Sequence, residues 1–126
     1  MKPRPNFDHP VHELIQRRWS PRAFSSKQVD EKVLLTLFEA ARWAASAMNE
    51  QPWRFIYATK NHEERYNKLV DCLSEGNKIW AMHAPVLIMT LIKTHFEHNN
   101  EYNRWAMHDL GLAIGNLSWL FSNENR

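Results

Sequence analysis

Two short stretches carry the side chains best suited to chemistry. In RRWSPRAF, residues 17–24, Arg17, Arg18 and Arg22 surround Ser20, and Pro21 stiffens the loop that holds them. A guanidinium is a planar fork that matches phosphate oxygens, and a serine hydroxyl adds a short donor, so the cluster suits an anion. The plainer reading is a solvated basic turn. In SAMNEQPWRF, residues 46–55, the helix-forming run EAARWAA gives way to Ser46, Asn49 and Gln51, and Gln51-Pro52 then sets a rigid, extended exit. Asn49 can adopt unusual backbone angles at a helix end. These polar groups either satisfy the last carbonyls of the helix, with Trp53 filling the core, or face a ligand at a helix–strand junction, where mixed α/β folds often bind.

Other chemistry has less support. His9/His12 and His95/His98 are each three apart, but neither pair has a cysteine or a carboxylate in register to complete a metal site, so no metal is expected. Cys72 falls on the apolar side of a helix and reads as a packing residue. There is no GxGxxG, no P-loop and no GxSxG, which removes support for a dinucleotide fold of that kind or a serine hydrolase.

The elements that must position these stretches follow from periodicity. Val11, Leu14 and Ile15 predict a short helix over about Val11–Arg18. Asp30 is placed to cap a second helix with Val33, Leu34, Leu37, Phe38, Ala41, Ala44 and Ala45 on its apolar face and Lys32, Thr36, Glu39 and Trp43 opposite. A short strand, Trp53–Ala58, follows. Asn61 could cap a third helix, with Tyr66, Leu69, Val70 and Leu73 as its stripe and Gly76 as its terminator. PVLIMTLI, 85–92, reads as a central strand covered on both faces. From about Trp105 the run WAMHDLGLAIGNLSWLF predicts a helix apolar nearly all round, which must be buried on all sides. Gly111 and Gly115 lie on one face of it, where another backbone could pack close, and this points to a partner subunit, with a monomer core helix as the alternative.

Composition sets the outer bounds. A chain of 126 residues, 44% apolar and 24% charged, is one domain of ordinary globular make-up. Six Trp, six Phe and three Tyr supply a core or a stacking surface for a planar ligand. Sixteen basic and fourteen acidic residues balance too closely for a nucleic-acid-binding footprint, although the arginine cluster with its tryptophan raises that class. A single cysteine fits a reducing compartment, MKPRPNFDHPVHEL lacks an apolar leader core, and no apolar run approaches about 18 residues; a soluble, cytoplasmic domain is expected.

The order of the motifs is more specific than any one of them. A short helix, RRWSPRAF, an amphipathic helix ending in ARWAASAMNEQPWRF, then NKIWAMHAPVLIM and a D-x-G-x-A-x-x-N helix together resemble the FMN-dependent nitroreductase family over about residues 12–121. The resemblance implies an α+β fold, with a central, mainly antiparallel sheet flanked by helices and a homodimer built around the long apolar helix. It implies FMN in clefts at the subunit interface. Arg18, Trp19, Ser20 and Arg22 match positions that hold the FMN phosphate and ribityl chain. Ala45, Ser46, Ala47 and Asn49 match the chain that lines the isoalloxazine ring, and Asn77 matches another ring-side position. Asp109, Gly111 and Asn116 match the helix that packs across the dimer. The implied activity passes a hydride from NAD(P)H through the flavin to an electron-poor small molecule, nitroaromatic or quinone-like, by a ping-pong scheme. No proton-transfer residue is assigned, and neither nucleic acid nor membrane is expected as a partner. Ala45 stands where the family usually has proline. The chain ends at WLFSNENR, whereas the family continues past this helix, so the sequence reads as C-terminally shortened. A remnant that dimerises without retaining FMN is therefore the alternative function.

Overall fold

The computed structural model describes residues 7–124, with the side chains of 121–124 excepted. The start of the N-terminal segment read above for a leader core, residues 1–6, and the last two residues of SNENR lie outside the described residues. Five helices and a two-stranded antiparallel sheet follow the order α1 (Glu13–Arg17), α2 (Glu31–Arg42), β1 (Trp53–Thr59), α3 (Glu63–Asp71), α4 (Glu75–Ala81), β2 (Val86–Ile92) and α5 (Ala106–Glu124). One 3-10 turn, Ala47–Asn49, sits between α2 and β1.

Helix α2 forms for the reasons its sequence gives. The Asp30 carboxylate accepts the Lys32 N–H at 2.9 Å, satisfying one of the four donors a helix start leaves open. Leu34, Leu37 and Ala41, at i, i+3 and i+7, are buried, whereas Lys32, Thr36, Glu39 and Trp43 are exposed. The core is where α2 meets α5 over the start of β1. Ala41 and Ala113 have no exposed surface and sit with Trp53 and Leu110, flanked by Phe55, Ile92, Ile114 and Leu117. Two alanines at the crossing let the helix axes come close, so the larger residues around them interdigitate. The Asn116 amide donates to the Ala40 carbonyl at 3.1 Å, fastening α5 to the last turn of α2.

Strands β1 and β2 pair from Trp53↔Ile92 to Thr59↔Val86. The Lys93 N–H donates to the Pro52 carbonyl at 2.8 Å and carries the pairing one step past the strand end. Tyr66 of α3 is 5% exposed, and its hydroxyl lies 2.5 Å from the Ala84 carbonyl and 3.2 Å from that of Met82. That side chain pins α3 to the turn leading into β2.

Several expectations are corrected here. Helix α1 is five residues, trimmed at both ends from Val11–Arg18, and the His12 side chain caps it. Asn61 does not cap α3. His62 holds that position, and the Asn61 side-chain oxygen Oδ1 accepts from the Gln28 side-chain amide at 3.0 Å instead. Gly76 terminates nothing: α3 ends at Asp71, and Gly76 lies in the first turn of α4, where the Ser74 carbonyl takes the Asn77 and Lys78 N–H groups, each at 2.9 Å. Cys72 is exposed, its stripe position cancelled because the helix has ended beside it. Strand β2 is only half-buried, with Thr90 and Leu91 exposed, because its one ladder partner is β1. Helix α5 buries Ala106, Asp109, Leu110 and Ala113 but leaves Met107 68% and Leu112 41% exposed. A Cβ built on Gly111 or Gly115 meets nothing within 4 Å, so among the described residues no backbone packs against the glycine face.

Candidate functional site

The segment between α2 and β1 is the most constrained stretch of backbone. Ser46 is extended (φ −146°, ψ 151°), and its hydroxyl accepts the Gln51 N–H at 3.0 Å. Within the loop so closed, Met48 (φ 56°), Asn49 (φ 54°) and Gln51 (φ 49°) all occupy the left-handed region, with no glycine among them. Such angles cost about 1–2 kcal/mol for an ordinary L-residue and less for Asn, so the surroundings must impose them.

The surroundings do so from four directions. The Asn49 and Glu50 N–H groups donate to the Ser46 and Ala47 carbonyls, each at 3.0 Å. The Gln51 amide donates to the Asn49 side-chain oxygen at 3.1 Å. The Glu50 carboxylate accepts the Glu97 N–H at 2.9 Å and lies 3.5 Å from the Lys93 ammonium, tying the loop to the chain after β2. Asp109 closes the set. It is 3% exposed, and its Oδ2 accepts the Ala47 N–H at 3.0 Å across 62 positions of sequence. A carboxylate this buried needs such a donor. Its Oδ1 lies 3.3 Å from Nδ1 of His108, whose side chain is 67% exposed.

Ala45, Ser46 and Ala47 form one wall of a shallow groove of about 270 Å³, and Trp105, His108, Asp109 and Leu112 form the other. The first wall is smooth because its side chains are a methyl, a hydroxymethyl and a methyl. Trp105 is 47% exposed, with the Arg104 guanidinium 4.6 Å above its ring centroid. Small, flat side chains on one side and an aromatic edge on the other suit a planar ligand. A larger cavity of about 450 Å³ lies between α2, β1 and the start of α3, lined by Glu31, Leu34, Tyr57, Thr59, His62 and Arg65 among others. None of the candidate cofactor-binding residues lines it, and no strained backbone borders it.

The arginine loop is a separate place in the chain. Arg17 pairs with Glu13 one turn back in α1. Arg18 follows α1 and donates to the Ser20 hydroxyl at 3.3 Å. The Arg22 guanidinium lies 6.0 Å from the centroid of the Trp80 ring, against which Phe24 also stacks. Neither Arg18 nor Arg22 forms an ion pair among the described residues, so both cations keep their charge available. Trp19 and Ser20 are exposed. Asn77 is exposed too, in the first turn of α4.

Among the described residues, then, Ala45, Ser46 and Ala47 share one groove, Asn49 braces the backbone beside it, and Arg18 and Ser20 touch each other. Neither of the two described cavities is lined by the arginine loop or by Asn77. The groove's far wall is what reading the sequence missed. Asp109 had been placed by resemblance on a dimer helix, and His108, Trp105 and Leu112 had no role. The available signal was one aspartate in an otherwise apolar helix, a residue that cannot stay buried without a specific donor.

Two groups titrate away from their ordinary values, both outside the groove. Glu39 is held below the usual carboxylate range by its hydrogen bond from Arg42, assisted by the Trp43 indole N–H. Burial pushes the Tyr66 phenol up. No helix of the described residues is long and apolar enough to cross a membrane.

Known proteins resemble this chain in sequence and fold. A solved oxidoreductase containing FMN superposes with a TM-score of 0.84 at 38% identity, covering 91% of this chain and 59% of its own. A protein of Xanthomonas oryzae pv. oryzae, provisionally named NADH dehydrogenase/NAD(P)H nitroreductase, is 34% identical over 91 residues, which is 72% of this chain and 44% of the relative. The major NAD(P)H-flavin oxidoreductase of Aliivibrio fischeri is 45% identical over 49 residues, 38% of this chain and 22% of the relative. The chain thus spans less than half the length of these curated relatives. The family model of the nitroreductases matches residues 15–121, nearly the whole of the described structure, and the chain belongs to the nitroreductase family.

Proposed function

We propose that this chain forms the FMN-facing part of an oxidoreductase that passes a hydride from NAD(P)H to an electron-poor small molecule, nitroaromatic or quinone-like. The observation that carries the reading is the Ala45–Ala47 wall, held by a buried carboxylate next to the left-handed backbone of Met48, Asn49 and Gln51 and facing an aromatic edge. Strained, over-determined backbone of this kind is kept where geometry matters to function. Bound FMN supplies the hydride chemistry. The chain's own residues bind and orient it. Arg18, Ser20 and Arg22, with Trp19 beside them, hold the phosphate and ribityl chain. Ala45, Ser46, Ala47 and Asn49 lie along the ring, and Asn77 meets its edge. The free cations of the arginine loop fit a phosphate, and the smooth wall fits a tricyclic plane. Reductant and acceptor occupy the same face of the ring in turn, which makes the kinetics ping-pong.

The groove holds about 270 Å³ and is open to solvent, below the range of roughly 300–1,000 Å³ usual for small-molecule pockets. A second copy supplies the missing wall in this reading, so the working unit is a homodimer. Its apolar contact is the open face of α5 with Met107 and the two bare glycines. Cytoplasmic residence goes with this reading and with the single exposed thiol. A second reading, a fold remnant that dimerises without retaining FMN, is favoured by the small volume and openness of the groove.

Anaerobic addition of NADH or NADPH to the FMN-loaded protein should bleach the flavin band, and p-benzoquinone should restore it. A bound flavin that neither nucleotide reduces would rule the oxidoreductase out, and a protein that binds no flavin would favour the remnant.

A further inference from the structure

The reaction proposed above consumes a proton: acceptor + NAD(P)H + H⁺ gives reduced acceptor + NAD(P)⁺. We propose that His108, positioned by Asp109, donates that proton from the groove wall; this rests on the oxidoreductase reading. His108 and Asp109 both line the groove, together with Ala45–Ala47. The Asp109 carboxylate is 4% exposed in its side chain and is held by the Ala47 N–H, so it is a fixed point. Its other oxygen lies 3.3 Å from His108 Nδ1. A carboxylate at Nδ1 fixes the imidazole's orientation and keeps the proton on that nitrogen, which leaves Nε2 to exchange protons elsewhere. Nε2 has no partner among the described residues, and the ring both lines the groove and is 67% exposed in its side chain.

Trp105 and Leu112, three before and four after His108, flank it with apolar surface. A flat acceptor resting there would present its oxygen to the imidazole. As the hydride reaches the acceptor, the Nε2–H bond of the imidazolium breaks and a new O–H bond forms on the acceptor. The electron pair of the broken bond stays on Nε2. The neutral ring keeps its Nδ1 proton on Asp109, and water restores the proton to Nε2. Asp109 acts only through the ring and is a positioning residue.

The test has two readouts. The first needs no flavin: nitrogen NMR of the imidazole in the purified chain at about pH 9, where an ordinary histidine is neutral. The Nδ1–H tautomer should dominate for His108, and Asp109→Asn should shift it toward Nε2–H. A wild-type His108 in the Nε2–H tautomer would overturn the proposal whether or not the protein binds flavin. The second is stopped-flow kinetics of the loaded enzyme. His108→Gln should slow the quinone half-reaction by about a hundredfold more than the NAD(P)H half-reaction, the scale of lost general-acid assistance. Equal effects on both halves would overturn it while leaving the oxidoreductase reading intact. Failure of NAD(P)H to reduce the flavin would instead strike the oxidoreductase reading, and the tautomer would then decide the pair alone.

Discussion

At the scale of single residues, the site is a problem of satisfying polar groups in a tight space. Ser46, Asn49 and Gln51 remain polar because each closes a bond that holds the loop in left-handed angles. Their importance was legible in the sequence, since three hydrogen-bonding side chains at a helix end beside a proline have few other uses. Asp109's grip on Ala47 was not, because it depends on how α5 crosses α2 rather than on any local pattern. A probe exists for it. Ala47 opens the 3-10 turn and follows an extended residue with ψ 151°, both compatible with proline. Ala47→Pro therefore removes the N–H that Asp109 accepts and sets the ring Cδ where that proton pointed, so the carboxylate must also give way. A buried carboxylate oxygen left unpaired should lower stability by about 1–3 kcal/mol in urea denaturation; a midpoint equal to wild type would show that the bond carries no weight. In the arginine loop, Arg18→Ala or Arg22→Ala should weaken FMN binding by about 1.5–3 kcal/mol by fluorescence titration, the range for hydrogen bonds to charged groups. Unchanged affinity in both variants would remove the phosphate assignment.

At the scale of elements, α2, β1 and β2 were readable because capping and periodicity are local. The break between α3 and α4 was not. Gly76 looked like a stop, yet the stop lies earlier, and the chain restarts at Ser74 with backbone bonds that any residue could make. The pin that joins α3 to β2 makes a pH prediction. Tyr66 has its folded pKa raised by burial. As pH climbs through about 10, the unfolded chain releases the phenol proton first, so it binds fewer protons than the native state and stability falls. The contribution is fully present below that pH and is lost as pH rises toward the folded value. Tyr66→Phe should be less stable at neutral pH and should flatten this alkaline decline, measured by denaturation midpoints between about pH 8 and 11. An unaltered slope would mean that another group sets it. Gly115 tests α5 in the same way. With nothing within 4 Å of its Cβ position, Gly115→Leu should leave the single chain folded, gaining up to about 1 kcal/mol of helix propensity, yet dissociate a dimer that packs there. A variant of wild-type sedimentation mass would move the interface off that face.

At the scale of the whole molecule, the proposed site stays open to solvent. The groove lacks a roof, and α5 and Trp43 expose apolar surface that a monomer rarely leaves open. The missing polar face of α5 was legible from sequence alone, whereas the openness of the groove was not, because burial depends on neighbours beyond the helix. Family membership supplies the common reason for these features, and the central claim is that such a chain holds FMN. The most direct measurement is the absorption spectrum of the purified protein after incubation with excess FMN and removal of the free flavin. The account predicts a retained flavin band near one FMN per chain, diminished in Arg18→Ala. A folded, colourless protein would contradict it.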